Sequence, residues 1–230
     1  MPGCVYGVGV GPGDPELMTL KAVRVLRAAD VIACPGKVPE ESTAYRIAVQ
    51  SVPEIGEKEM ISLSVPMTYD QSVLQNEHLK TAHRIERILE EGRNVACLTL
   101  GDPTIYSSFC YYQKILEKDG YRTEIVSGVP SFCAVAARLN MPLVEWQEQM
   151  HVIPAAHQNN LDGACSGTCV YMKAGKRLKE LKEHLRQAGK EVYMVENCGM
   201  EGEKVCFGVD QIPDQSRYYA TVIVKPGGIR

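Results

Sequence analysis

Three short stretches of this chain carry residue types and spacings that can do chemistry, and each reads as a strand end running into a helix. In VYGVGVGPGDPELMTLKA, residues 5–22, glycine falls at Gly7, Gly9, Gly11 and Gly13, just ahead of Asp14 and Pro15. LTLGDPTIY occupies residues 98–106 and SGVPSF residues 127–132. Glycine-rich turns of this kind seat dinucleotides or phosphates when their spacing is right, and here it is not. Counted from Gly9 and Gly11, the third glycine of G-x-G-x-x-G falls on Asp14; counted from Gly7 and Gly9, it falls on Pro12. The Lys-Ser/Thr pair of a P-loop is also missing. Pro12 has no N–H to offer a phosphate, and an aspartate at a helix start repels one. Asp14 reads better as an N-cap, with Pro15 in the first helical position. The alternating glycines predict a strand end stripped of side chains, where a bulky ligand lies against bare backbone. The alternative is a tight turn without a ligand.

The elements that must position these stretches follow from periodicity. Strands are predicted over residues 5–10, 31–34, 60–65, 95–100 and 124–126, and helices over 17–29, 42–49, 76–91, 106–118 and 131–139. The apolar stripe Leu79, Ala82, Ile85, Ile88 and Leu89, ended by Gly92, is the clearest helical signal. Strands alternating with helices imply parallel βαβ units, whose ligands bind beyond the strand carboxyl ends. After Asn140-Met141-Pro142 the pattern changes: strands over 151–153, 168–172, 191–196, 204–208 and 218–224 enclose one helix, 176–188. The expectation is α/β: an N-terminal domain, 1–142, with a mostly parallel sheet, and a C-terminal domain, 143–230, with a mixed sheet. The linker is placed at residues 141–148.

Composition narrows the function classes. The 230 residues carry 25 Lys+Arg against 28 Asp+Glu, a net charge of -3, so no global field draws nucleic acid or an anionic membrane. No apolar run approaches a membrane span or a signal peptide, which predicts a cytoplasmic protein. The nine cysteines are scattered and contain no Cys-x-x-Cys pair. They read as reduced thiols in apolar positions, with no structural metal. Cys165 and Cys169 lack the second pair that a metal site needs.

The three stretches together, with VYMKAGK (170–176) and YYATVIVK (218–225), resemble the tetrapyrrole methylases, S-adenosylmethionine-dependent enzymes, along nearly the whole chain. The resemblance implies two αβα domains with the cofactor in the cleft between them, and a homodimer. The segment DVIACPGK (30–37), the helix around AYRIA (44–48) and VPMT (65–68) resemble the branch that methylates C20 of precorrin-2 or cobalt-factor II in cobalamin biosynthesis. Alternatives are methylation at another corrin or uroporphyrinogen carbon, and a non-catalytic nucleotide-binding α/β protein. By family position, Pro12, Leu100, Gly101, Asp102, Ile105, Pro130, Ser131, Phe132, Met172, Ala220 and Thr221 are implied to line the pocket for S-adenosylmethionine and its product S-adenosylhomocysteine. Ser131 and Phe132 also read as a helix cap and a core aromatic. Asp102, Tyr106, His151 and His157 are candidates for removing the C20 proton, with Asp102 and Tyr106 preferred. A polycarboxylate tetrapyrrole needs cations, for which Lys37, Arg46, Arg138 and Lys173 are chosen; Arg24, Arg27, Lys176, Arg177, Lys179 and Lys182 read as solvated helix faces.

Overall fold

A computed structural model describes residues 1–63, 68, 70–155, 166–216 and 219–227. The chain forms two compact units, Met1–Pro130 and Ser131–Arg230. In the first, strands β1 (Cys4–Gly9), β2 (Val31–Pro35), β3 (Glu59–Leu63), β4 (Val95–Thr99) and β5 (Arg122–Val126) form one sheet in the order β3-β2-β4-β1-β5. Every pairing in it is parallel.

Both faces of this sheet are covered, which is why its strands read as near-continuous apolar runs rather than as alternating ones. Val8, Val10, Ile32, Cys34, Ala96 and Leu98 meet helices α1 (Leu20–Ala28) and α2 (Thr43–Ser51) on one face. Val5, Val31, Ala33, Val95 and Cys97 meet α3 (Gln71–Glu90) and α4 (Phe109–Lys118) on the other. Burial pushes the Cys34 thiol up to about 12, with nearby Glu40 adding to it, and raises Cys97 as well. These thiols therefore stay protonated and behave as small apolar residues.

Three helix starts differ from the periodicity reading, each for a local reason. The helix expected from residue 17 is broken. Asp14 does cap, its carboxylate accepting the Glu16 N–H at 2.8 Å, but the turn it starts is only the 3-10 piece Pro15–Leu17. Thr19 caps α1 proper by accepting the Ala22 N–H. Helix α3 begins earlier than residue 76 because Asp70 accepts the N–H groups of Ser72 and Val73. Helix α4 begins at Phe109 rather than residue 106, since Tyr106 takes a left-handed φ of 49° that no helix accommodates.

The second unit holds a mixed sheet, β6-β7-β10-β8-β9, built from β6 (Met150–Pro154), β7 (Thr168–Met172), β8 (Glu191–Glu196), β9 (Lys204–Phe207) and β10 (Ala220–Lys225). Only β6 and β7 run parallel; the other pairings are antiparallel. Helix α6 (Leu178–Ala188) buries Leu178, Leu181 and Leu185 in its core, and α5 (Ser131–Arg138) packs on β10. Helix α5 and the segment expected as a linker thus lie within this unit. Residues 64–65 of the expected third strand, the stretch 66–67, His157, Cys165 and Tyr218 lie outside the described residues.

The segment after α5 is held by a largely buried ion pair. Lys225 donates to Glu148 and to the Leu143 carbonyl, both at 2.8 Å, and the Thr168 hydroxyl donates to Glu148 at 2.6 Å. Burial alone raises the Glu148 pKa, but the bonds from Lys225, Thr168 and the Glu145 N–H outweigh it and hold the carboxyl below its usual 4.5. A depressed carboxylate pKa contributes stability that is complete above the unfolded value and is lost as pH falls through the folded one. Glu148→Gln is expected to cost about 1–2 kcal/mol at neutral pH. In urea unfolding the gap between variant and wild type should close well below pH 4.5; a gap independent of pH would contradict this account.

Candidate functional site

The carboxyl ends of β4, β1 and β5 lie side by side, so the three glycine-bearing stretches form one continuous rim. Helix α1 leaves β1 toward one face of the sheet and α4 leaves β4 toward the other. These neighbouring strands therefore make a topological switch point, where open α/β sheets bind ligands.

At this switch point the two loops are stitched together. Gly11 and Gly101 exchange backbone hydrogen bonds, the Gly101 N–H donating to Gly11 at 2.8 Å and the Gly11 N–H returning one at 3.3 Å. A Cβ on Gly9 would lie 2.6 Å from both the Gly101 oxygen and the Gly128 nitrogen; one on Gly128 would lie 2.2 Å from the same oxygen. A Cβ on Gly7 would enter the Phe109 ring, 2.3 Å from its nearest atom. The bare strand end is thus filled by the protein's own backbone and by Phe109, which corrects the expectation of ligand space against Gly7 and Gly9.

The loop after β4 is fixed by Asp102, which is buried. Its carboxylate accepts the Thr104 N–H at 2.7 Å, the Thr104 hydroxyl at 2.5 Å and, from the loop after β5, the Gly128 N–H at 2.9 Å. With three donors on its two oxygens, Asp102 is a strut between loops. The signal in the sequence was the Asp-x-Thr spacing of an Asx-type turn. Asp102→Asn turns an amide N–H toward the Gly128 N–H, so we expect a loss of about 2 kcal/mol. Chemical denaturation reads this directly, and an unchanged midpoint would remove the strut.

Sequence reasoning missed two further supports. Ser107 accepts the Phe109 N–H at 3.1 Å and lies 3.3 Å from the Thr99 hydroxyl, and the Thr19 hydroxyl donates to the Ser127 carbonyl at 3.3 Å. Hydroxyls in these positions read as ordinary caps, so nothing short of the sheet order reveals what they tie together. Pro12 is buried in the β1 loop, Leu100, Ile105 and Pro130 are half-buried, and Tyr106 is 44% exposed.

In the second unit, Met172 and Thr221 are cross-strand partners on β7 and β10, and the Ser131 hydroxyl at the start of α5 lies 3.4 Å from that of Thr221. Ala220 and Phe132 are buried, the latter in the position of a core aromatic. These five expected residues are therefore brought to one end of the mixed sheet. His151 is not at that end: it pairs with Cys169 in the β6–β7 register, and its Nε2 lies 3.0 Å from the Ser166 carbonyl.

The cations divide. Arg138 is ion-paired to Glu203 at 2.5 Å, so the structure commits it locally. Burial raises the Glu203 pKa, but the Gly199 N–H and Arg138 hold the carboxyl below its usual value. Lys173 takes a left-handed φ of 58° just after β7. Lys37, after β2, and Arg46, in the first turn of α2, are exposed and have no ion-pair partner among the described residues. No three His, Cys, Asp or Glu side chains converge on a possible metal position among the described residues, and no described helix is long and apolar enough to cross a membrane.

Comparison with known proteins agrees with this architecture. A relative from Methanocaldococcus jannaschii, described as a probable cobalt-precorrin-2 C(20)-methyltransferase, is 36% identical over 225 residues, covering 96% of this chain and 95% of its own. The cobalt-precorrin-2 C(20)-methyltransferase of Salmonella typhimurium is 29% identical, covering 98% of this chain and 97% of its own. Among solved structures, uroporphyrin-III C-methyl transferase from Thermus thermophilus, complexed with S-adenyl homocysteine, superposes with a TM-score of 0.71 at 22% identity. The superposition covers 97% of this chain and 92% of that one, a likeness of fold. Residues 4–209 match one family model along most of the chain, and the chain belongs to the tetrapyrrole (corrin/porphyrin) methylases.

Proposed function

We propose that this protein is an S-adenosylmethionine-dependent methyltransferase acting on C20 of precorrin-2 or cobalt-factor II in cobalamin biosynthesis. The observation that carries the reading is near full-length similarity to two C(20)-methyltransferases, one of them more than a third identical. The family resemblance and the free buried thiols also support a cytoplasmic homodimer.

The groups present fit the cofactor. When bound, it supplies a methyl group on a cationic sulfonium, and that charge disappears as the methyl leaves. A site that holds the cation with neutral groups, rather than with an ion pair, favours the transition state over the ground state. The Leu100 carbonyl in the first unit and the hydroxyls of Ser131 and Thr221 in the second are proposed as such groups; the Gly101 and Asp102 carbonyls already accept the Gly11 and Ile105 N–H groups. The one carboxylate in the Leu100-Gly101-Asp102 turn already accepts three hydrogen bonds, from Thr104 and Gly128. Pro12, Ile105, Pro130, Phe132, Met172 and Ala220 complete the proposed cofactor set.

The acceptor carbon is enamine-like and nucleophilic, so the protein's main task is alignment. Lys37, Arg46 and Lys173 are proposed to hold the ionised carboxylates. With Asp102 spent as a strut, no side chain is assigned to remove the C20 proton.

The test is to incubate the protein with methyl-labelled cofactor and cobalt-factor II and to locate the label by carbon NMR. A label at C20 supports the proposal. A label at C17, C11 or C1 refutes the position but keeps the family. If S-adenosylhomocysteine binds and no methyl is transferred to any tetrapyrrole, the non-catalytic alternative takes its place.

A further inference from the structure

Tyr106 is held in a conformation that bulky side chains avoid. Its φ of 49° lies in the left-handed region, where Cβ crowds the following carbonyl. Such strain persists only when the surroundings over-determine it, and it concentrates where function needs it. Both flanks of Tyr106 are indeed fixed. Upstream, Asp102 binds Thr104 and Gly128 through its carboxylate, and its carbonyl accepts the Ile105 N–H at 3.2 Å. Downstream, Ser107 is buried, bonded to the Phe109 N–H and beside Thr99. Yet Tyr106 itself is 44% exposed, although its neighbours Asp102, Ser107 and Phe109 are buried.

The exposed tyrosine has company on the same rim. Leu20, at 90% exposed, opens the helix after β1, and Val38 is exposed after β2. Strands β2, β4 and β1 are consecutive in the sheet, so Val38, Tyr106 and Leu20 follow three adjacent carboxyl ends. At the usual strand spacing these ends span about 10 Å. Lys37 lies in the segment with Val38 and Arg46 in the helix that follows it, and both are exposed. An exposed aromatic beyond the carboxyl end of the central strand, with exposed cations beyond the neighbouring one, suits a flat conjugated ring bearing carboxylates at its edge.

From this arrangement we infer that Tyr106 is the stacking platform for the tetrapyrrole, held in place by backbone strain, and acts through its ring face rather than its hydroxyl. The inference rests on the proposed methyltransferase reading and replaces the role of Tyr106 as a base. Aromatic faces take offset-stacked partners readily, and a left-handed backbone held at both flanks fixes where the ring sits before the acceptor arrives.

The experiment compares Tyr106→Gly, Tyr106→Asn and Tyr106→Phe with wild type, using cobalt-factor II as acceptor and S-adenosylhomocysteine as cofactor probe. Glycine and asparagine tolerate a left-handed φ, so both variants should melt at or above the wild-type Tm. Both should raise the acceptor Kd tenfold or more while leaving the S-adenosylhomocysteine Kd within twofold. In turnover the acceptor KM rises more than kcat falls. Tyr106→Phe should restore acceptor affinity, because it restores the ring. An unchanged acceptor Kd in the glycine and asparagine variants overturns the platform, as does a phenylalanine variant as weak as they are. If wild-type protein binds neither cobalt-factor II nor precorrin-2, the methyltransferase reading itself fails and the platform falls with it. If wild type binds and the variants bind equally, only the platform fails. Should Tyr106→Gly not fold, the asparagine and phenylalanine variants decide the question.

Discussion

Gly128→Ala should lower the thermal midpoint by about 10 °C, reflecting a loss of about 3 kcal/mol. The new Cβ would sit 2.2 Å from the Gly101 oxygen and 2.9 Å from main-chain carbons of Gly9. Overpacking against a side chain can be relieved by a rotamer change, whereas here every colliding atom is backbone. Relief requires moving β1 or the β4 loop, and it pulls the Gly128 N–H off Asp102. The same atoms make Gly9→Ala costly, so the double variant should lose less than the two singles added together. Gly56→Ala is the control, since its Cβ would meet only the Tyr45 hydroxyl at 3.4 Å. Circular-dichroism melts of wild type and the four variants suffice, and a Gly128→Ala midpoint indistinguishable from the Gly56→Ala control would show that the rim is not closed.

The double variant Lys37→Ala/Arg46→Ala is expected to weaken acceptor binding about a hundredfold. Each charge-assisted contact to an acceptor carboxylate is worth at least about 1.5 kcal/mol, and two together reach the 2.8 kcal/mol or so that a hundredfold change requires. Both residues are exposed, so salt screens them and the lower end of that range applies. Wild-type affinity should therefore fall with ionic strength, while the double variant should respond much less. Affinity for S-adenosylhomocysteine should not change, because neither residue belongs to the proposed cofactor set. Titrating cobalt-factor II at two salt concentrations separates the contributions; equal salt responses in the two proteins would place the carboxylates elsewhere.

Much of the fold was legible because both sheets write their burial into the chain. The VIACP and VACLT runs are strands covered on both faces, and the Leu178, Leu181 and Leu185 stripe is a helix covered on one. Caps were harder. Asp14 does cap, yet the main helix waits for Thr19, and nothing local distinguishes a one-turn helix from the first turn of a long one. The packing inside the three turns was not legible. Glycines at a strand end read as room for a ligand, and only the sheet order shows that Gly9, Gly101 and Gly128 fill that room for one another. Asp102 read as a candidate base because a carboxylate beside a ligand loop is chemically suggestive. Its partner Gly128 is 26 residues away in sequence, and no periodicity reports such a pairing.

The glycine contact also bears on how such a protein can diversify. Gly9 and Gly128 leave no room between main chains for even a methyl group, so single-nucleotide changes there carry a stability cost whichever residue they introduce. The rim side chains are under no such restriction. Leu20, Val38, Lys37 and Tyr106 are exposed, and exchanging them leaves the three main chains in contact beneath. A lineage of this architecture can therefore vary the edge of the sheet while inheriting the three-glycine contact unaltered. Adaptive change is expected to accumulate at such edge positions, with purifying selection concentrated on the glycines.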